Sequence, residues 1–355
     1  MLFTDGMSNI PSFILLRFYE ISLIFIIIII VLVLSSLLFL GKNAREHPHV
    51  KALRVMFGFL WLLDGLLQLQ PLMSVGFAEE TINPGLIMGT YQPWLSSVIK
   101  FFVYIWDLHP ITYDALAAAI QIFIGSSLII GPRGFLYRAG LYISIPWSVL
   151  IWVVGEGLGN SFSGGASWII GSPGSVLVYL FATFILIMYI RREDFNMRAY
   201  VRYAFAAMFA VAFIWQVLPQ NGYWNGINLS TNTLFMAFTK QPHFLSIMTF
   251  DVAMALAANP LLYNSLIAVS LVVAFLLWAL IPGRIAASYT IAISVVTWIL
   301  FLDLGEIFSG YSTDPNTPIP VIAICISYIM MLYERFSNSA VDGSASKNYV
   351  PEARI

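Results

Sequence analysis

The segment Ile21 to Leu40 (ISLIFIIIIIVLVLSSLLFL) runs through twenty residues without a charged side chain. At about 1.5 Å of rise per helical residue it spans roughly the 30 Å hydrocarbon core of a bilayer. It exceeds the roughly 7–15 apolar residues of a signal-peptide core, follows Arg17 and Glu20, and leads into Gly41-Lys42-Asn43-Ala44-Arg45, where no small-residue cleavage site is found. It is therefore expected to stay as a membrane-crossing helix. Composition agrees: 59% of the 355 residues are apolar and 10% charged, against about 25% charged in a soluble domain. A net charge of -1 offers no basic field for nucleic acid, and Cys325, the only cysteine, excludes a disulfide framework or thiolate metal cluster within the chain.

Further apolar spans run at about Ala52 to Gln70, Ile111 to Gly131, Phe135 to Gly155, Pro173 to Ile190, Tyr200 to Leu218, Leu261 to Ile281, Ile285 to Leu304 and Pro318 to Tyr333, making about nine transmembrane helices with the first. Pro93 to Asp107 and Pro242 to Ala257 are shorter and carry Lys100 and Asp251, so they read as interfacial or re-entrant helices. With the N-terminus outside and the C-terminus cytoplasmic, all of the 17 Lys and Arg residues except Arg17, Lys100 and Lys240 fall on inner segments. That bias sets the expected orientation in a cell membrane. The uncharged, glycine-rich stretch Gly159 to Gly174 is expected to pack on helix ends at the outer face.

The chain also aligns with itself. An offset of 150 pairs Pro110, Tyr113, Pro132, Ser144, Gly155 and Glu156 with Pro260, Tyr263, Pro282, Ser294, Gly305 and Glu306, and an offset of 148 pairs Arg54, Gln68 and Pro71 with Arg202, Gln216 and Pro219. Four crossings per unit is an even number, so both units face the same way and are related by an axis along the membrane normal. The expected fold is an all-α polytopic membrane protein with two parallel four-helix repeats plus one N-terminal helix. Residues 1–50 form the N-terminal helix and a basic inner loop, 51–195 the first repeat, 196–336 a degenerate second repeat, and 337–355 a disordered cytoplasmic tail.

Ala52-Leu53-Arg54 opens the first unit, Trp61-Leu62-Leu63-Asp64-Gly65 and Leu66-Leu67-Gln68-Leu69-Gln70-Pro71 close its first helix, and Gly155-Glu156-Gly157-Leu158-Gly159 follows its third. In these motifs the segment from Lys51 to Ile190 resembles the DoxX/DoxD-like membrane family, which includes the membrane subunit of archaeal thiosulfate:quinone oxidoreductase. The resemblance implies a place in a redox or respiratory complex, contact with a quinone, and electrons supplied by a partner subunit. The second unit has Ala212 where the offset expects Asp64, so any family function belongs to the first.

Among individual residues, Asp64 lies within the membrane near the outer end of its helix, where a carboxylate is a functional candidate by default. Gln68 stands at i+4 on the same face, and Trp61 nearby offers an aromatic surface to a quinone ring; each also fits plain bundle packing. Glu156 is the fourth candidate for the quinone site. Gln216, Asp303, Glu306 and His109 are secondary candidates: Asp303 and Glu306 as an i, i+3 pair sharing a proton or cation or simply facing solvent, and His109 with Glu156 as an outer-surface metal or proton site. No HxxxH or CxxC pattern occurs, and neither a metal site nor an intrinsic cofactor is expected. An interfacial aromatic belt is expected for Trp94, Trp106, Trp168 and Trp224. The readings that follow are a quinone-linked redox subunit held among other subunits in the bilayer, a non-catalytic anchor, or a small-molecule transporter.

Overall fold

The computed structural model describes residues 10–38, 46–82, 86, 91–132, 134–192, 195–239 and 241–347, with side chains described as far as 334 apart from residue 80. All regular structure among them is helical, as a backbone inside hydrocarbon requires when it must pair its own N–H and C=O groups. The main helices are α1 (Ser12–Leu38), α2 (Pro48–Gln68), α3 (Pro93–Leu108), α4 (Pro110–Ile130), α5 (Phe135–Val154), α6 (Ser175–Arg191), α7 (Met197–Val217), α8 (Ile227–Ala237), α9 (His243–Ala258), α10 (Pro260–Leu280), α11 (Arg284–Leu300) and α12 (Pro318–Lys347). In α2, α3, α4 and α10 a proline stands in the first turn, where its missing N–H costs nothing.

Helices α1, α4, α5, α7 and α10 are long and apolar enough to cross a membrane, and the chain is a helical membrane protein. The other expected crossings are formed as helices with a different character. Helix α2 is 21 residues long but carries Lys51, Arg54 and Asp64, whereas α6 and α11 have 17 residues each, about 25 Å of rise. The aperiodic tail expected from 337 onward is instead helical as far as Lys347, a continuation of α12. Residues 348–355 lie outside the described ones, as do Lys42, Arg45, Arg133 and Lys240 of the charge argument. Helix α8 lies outside all of the apolar spans and short helices expected from the sequence.

Small residues set the tightest packing. A Cβ on Gly125 of α4 would lie 2.6 Å from the Gly58 carbonyl oxygen and 2.8 Å from the Leu62 nitrogen of α2. A Cβ on Gly65 would come within 3.0 Å of the Ala118 carbonyl. The two backbones therefore touch, as small residues allow when helices associate in lipid. Helix α1 lies mostly exposed, with Phe18, Ser22 and Ile29 buried. Trp61 and Phe57 pack edge-on against Tyr179, and Trp278 packs likewise between Phe205 and Tyr328, so the two halves of the chain build similar aromatic centres within one core.

At the end of the bundle where α5 and α11 stop, both chain segments turn left-handed. Residues 157–160 and Asp303–Glu306 all have φ between 45° and 68°, at a cost of about 1–2 kcal/mol for each residue other than glycine. This shortens α11 to Leu300, four residues before the expected Leu304, and it corrects the alignment there. Trp152 and Trp298 each donate to the carbonyl of a proline, Pro173 and Pro315, at 2.9 and 2.8 Å. Both tryptophans and both helix ends (Val154, Leu300) are thus related by an offset of 146 (298 − 152 and 300 − 154). Glu306 is not the counterpart of Glu156 in geometry.

Candidate functional site

At that same end a polar vestibule of about 680 Å³ opens between the two halves of the chain. Its floor is the glycine-rich segment expected to pack on helix ends, in which Ala166, Ser167 and Ser172 are fully buried. It is lined by the polar face of α8, where Asn228, Thr231 and Asn232 stand, and by Glu156 and Asp314. Two glycines make the geometry possible. A Cβ on Gly159 would sit 1.9 Å from the Pro173 oxygen, and one on Gly174 would sit 2.2 Å from Oε2 of Glu156.

Glu156 caps α6. Its Oε1 accepts from the Ser175 hydroxyl at 2.6 Å and from the Val176 N–H at 3.1 Å, where the helix dipole favours a carboxylate. Its Oε2 is buried without a hydrogen-bond partner. Burial, and then the negative charge of Asp314, raise the Glu156 pKa to about 8. Burial raises Asp314 as well. Two neighbouring carboxyls resist ionising together, so near neutral pH Glu156 carries a proton it can give up.

Glu156, Gly155, Thr81 and Thr313 also line a second, smaller cavity of about 100 Å³ on the other side. This one lies among α2, α3, α4 and α5, with Phe77, Phe102, Trp106 and Trp147 as aromatic lining and Gln68 and Gln121 as amides. Besides Glu156 Oε2, two more buried polar atoms here lack a partner, Trp147 Nε1 and Gln121 Oε1. A buried donor or acceptor left alone costs about 1–3 kcal/mol, and three such atoms belong to residues that line this one cavity.

The expected cluster of Asp64, Gln68, Trp61 and Glu156 is divided. Gln68 and Glu156 line the small cavity. Asp64 is 3% exposed and accepts from Tyr179 at 3.2 Å, with Trp61 packed against the same tyrosine. Neither Asp64 nor Trp61 lines any described cavity. Gln68 turns away from its i+4 neighbour and donates to Asp114 of α4. Asp114 is fully buried and is not among the expected residues, because it is 46 positions away in sequence. Gln216 makes the corresponding bond to Asn264, at 2.6 Å, and accepts from Ser167.

Three other expectations are corrected. Asp303 and Glu306 lie in the left-handed turn, so they do not share a helix face. Asp303 does not face solvent: it is fully buried, accepting from Thr249 at 3.3 Å. Burial followed by the Asp303 charge raises Glu306 to about 8. His109 is exposed, packs on Tyr113 and lines neither cavity with Glu156, so the expected pairing is not formed. Trp168, expected in an interfacial belt, is buried with its N–H on Thr297 at 2.9 Å. A third cavity, an apolar groove of about 410 Å³ between α6 and α7, is lined by apolar and aromatic side chains. No family model, curated protein or solved structure matches the chain.

Proposed function

We propose that this chain is the membrane subunit of a quinone-linked redox assembly of the DoxX-like kind, with nine crossings arranged as two parallel four-helix units behind an N-terminal helix that begins outside. The matched bonds of Gln68 and Gln216, and of Trp152 and Trp298, support the duplication. The observation that carries the functional reading is that Trp147, Gln121 and Glu156, each with an unpartnered buried polar atom (Nε1, Oε1 and Oε2), line one aromatic cavity. Trp147 supplies a hydrogen-bond donor for a quinone carbonyl, the aromatic walls take the ring, and Glu156 holds a proton beside the polar vestibule. Reduction consumes two electrons and two protons; the electrons come from a partner subunit.

Size tests the fit. A cavity of about 150 Å³ accepts benzene, so a space of about 100 Å³ admits one six-membered ring only with side-chain movement, and a fused pair requires more movement still. The purified chain should therefore bind a short-chain benzoquinone, quenching tryptophan fluorescence, and bind a naphthoquinone more weakly. Trp147→Phe keeps an aromatic ring but removes the indole N–H and with it one hydrogen bond of about 1–1.5 kcal/mol, which weakens benzoquinone binding about tenfold. Equal affinity in Trp147→Phe and Glu156→Gln would remove the site.

The vestibule itself favours a second reading, a small-molecule transporter, since both halves of the chain line it. A non-catalytic anchor is the third. Isolation from native membranes followed by mass spectrometry separates them: a redox partner accompanies the subunit or anchor, whereas a transporter purifies alone and moves solute into vesicles.

A further inference from the structure

The opposite end of the bundle carries a cluster unrelated to the quinone reading. His47 precedes α2 in extended conformation, and Pro48 starts the helix, so His47 and His49 project together with ring centroids 5.3 Å apart. Glu334, on α12, reaches across from the other half of the chain. Its Oε2 lies 2.8 Å from Nδ1 of His49 and 3.9 Å from Nδ1 of His47. The three ligand atoms lie within 4.8 Å of one another. Around a tetrahedral ion with bonds of about 2.0–2.1 Å, ligand atoms stand roughly 3.3 Å apart, between the two separations observed.

The surroundings hold these ligands in place. The His49 backbone N–H donates to Glu334 Oε1 at 2.7 Å, which fixes the carboxylate. Nε2 of His49 lies 2.8 Å from the Tyr189 hydroxyl on α6, an outer partner of the sort that orients a ligating imidazole. His49 is buried, and Ser327 of α12 donates to its carbonyl at 2.8 Å. His47, whose side chain is 64% exposed, leaves one coordination position open toward the surface.

We propose that His47, His49 and Glu334 form a three-ligand site for a divalent transition-metal ion of the zinc class, which clips the start of α2 to α12. Two imidazoles select such an ion over magnesium or calcium, which prefer all-oxygen sets. Sequence spacing conceals the site, because Glu334 is 285 residues from His49.

The test is titration of the full-length protein in detergent with Co²⁺, read by its visible d–d absorption, followed by displacement with Zn²⁺. One equivalent of Co²⁺ should give the intense bands of a four-coordinate ion and lose them to Zn²⁺ but not to Mg²⁺. His47→Ala changes an exposed side chain and should fold normally while binding at least about tenfold more weakly; Tyr189→Phe should weaken binding by about tenfold as a lost outer-shell partner does. Absence of saturable one-to-one binding in the wild type overturns the site. Affinity unchanged in both His47→Ala and Glu334→Gln, with circular dichroism showing intact helices, overturns it equally.

Discussion

Replacing Gly125 with alanine tests the contact on which the first unit is built. The new Cβ would stand 2.6 Å from the Gly58 carbonyl and 2.8 Å from the Leu62 nitrogen, both backbone atoms that cannot rotate away. Helices α2 and α4 must then separate by roughly 0.5–1 Å, a gap that already forfeits a quarter to a half of the dispersion energy of each contact it opens. Overpacking of this sort costs about 3 kcal/mol at the upper end of the usual range. Alanine also favours a helix over glycine by about 1 kcal/mol, so the net loss is about 2 kcal/mol. Gly164→Ala is the control, since its Cβ meets nothing within 4 Å. Reversible unfolding in mixed micelles with increasing SDS measures both. Gly125→Ala should lose about 2 kcal/mol, and the displacement should weaken benzoquinone binding too, because Gln68 and Asp114 bond across the same pair of helices. If Gly125→Ala matches both the wild type and Gly164→Ala in stability, α2 and α4 do not approach as described.

Glu156 has a folded pKa of about 8, raised by burial and then by Asp314, against about 4.3 for a free glutamate. The folded state therefore binds more protons between these values, and stability falls as pH rises from about 4 to about 8. Glu156→Gln should flatten part of that slope in pH-dependent unfolding, with Asp314 and Glu306 supplying the remainder; an unaltered slope would refute the burial argument. Asp64→Asn keeps an acceptor for Tyr179 and touches no described cavity, so benzoquinone affinity should be unchanged, and a tenfold loss would return Asp64 to the site.

The local content of this chain is readable from its residues. Runs of apolar side chains locate the helices, because the number of residues needed to cross lipid and the rise per residue are both fixed. Prolines at Pro48, Pro93, Pro110 and Pro260 mark starts within a few residues of those observed. Glu156 and Gln68 also stand out, since polar groups beside long apolar runs are conspicuous. What escapes is which residues meet across helices. Asp64 and Gln68 share a helix face, yet one turns to Tyr179 and the other to Asp114, because the rotation and approach of α2 are set by where Gly58, Gly65 and Gly125 let backbones touch. The left-handed turn at Asp303–Glu306 likewise shifts a sequence match out of register, and only folding brings Glu334 to His49. Helical periodicity is a property of neighbours along the chain; the pairing of distant polar atoms depends on crossing geometry that arises when whole helices pack.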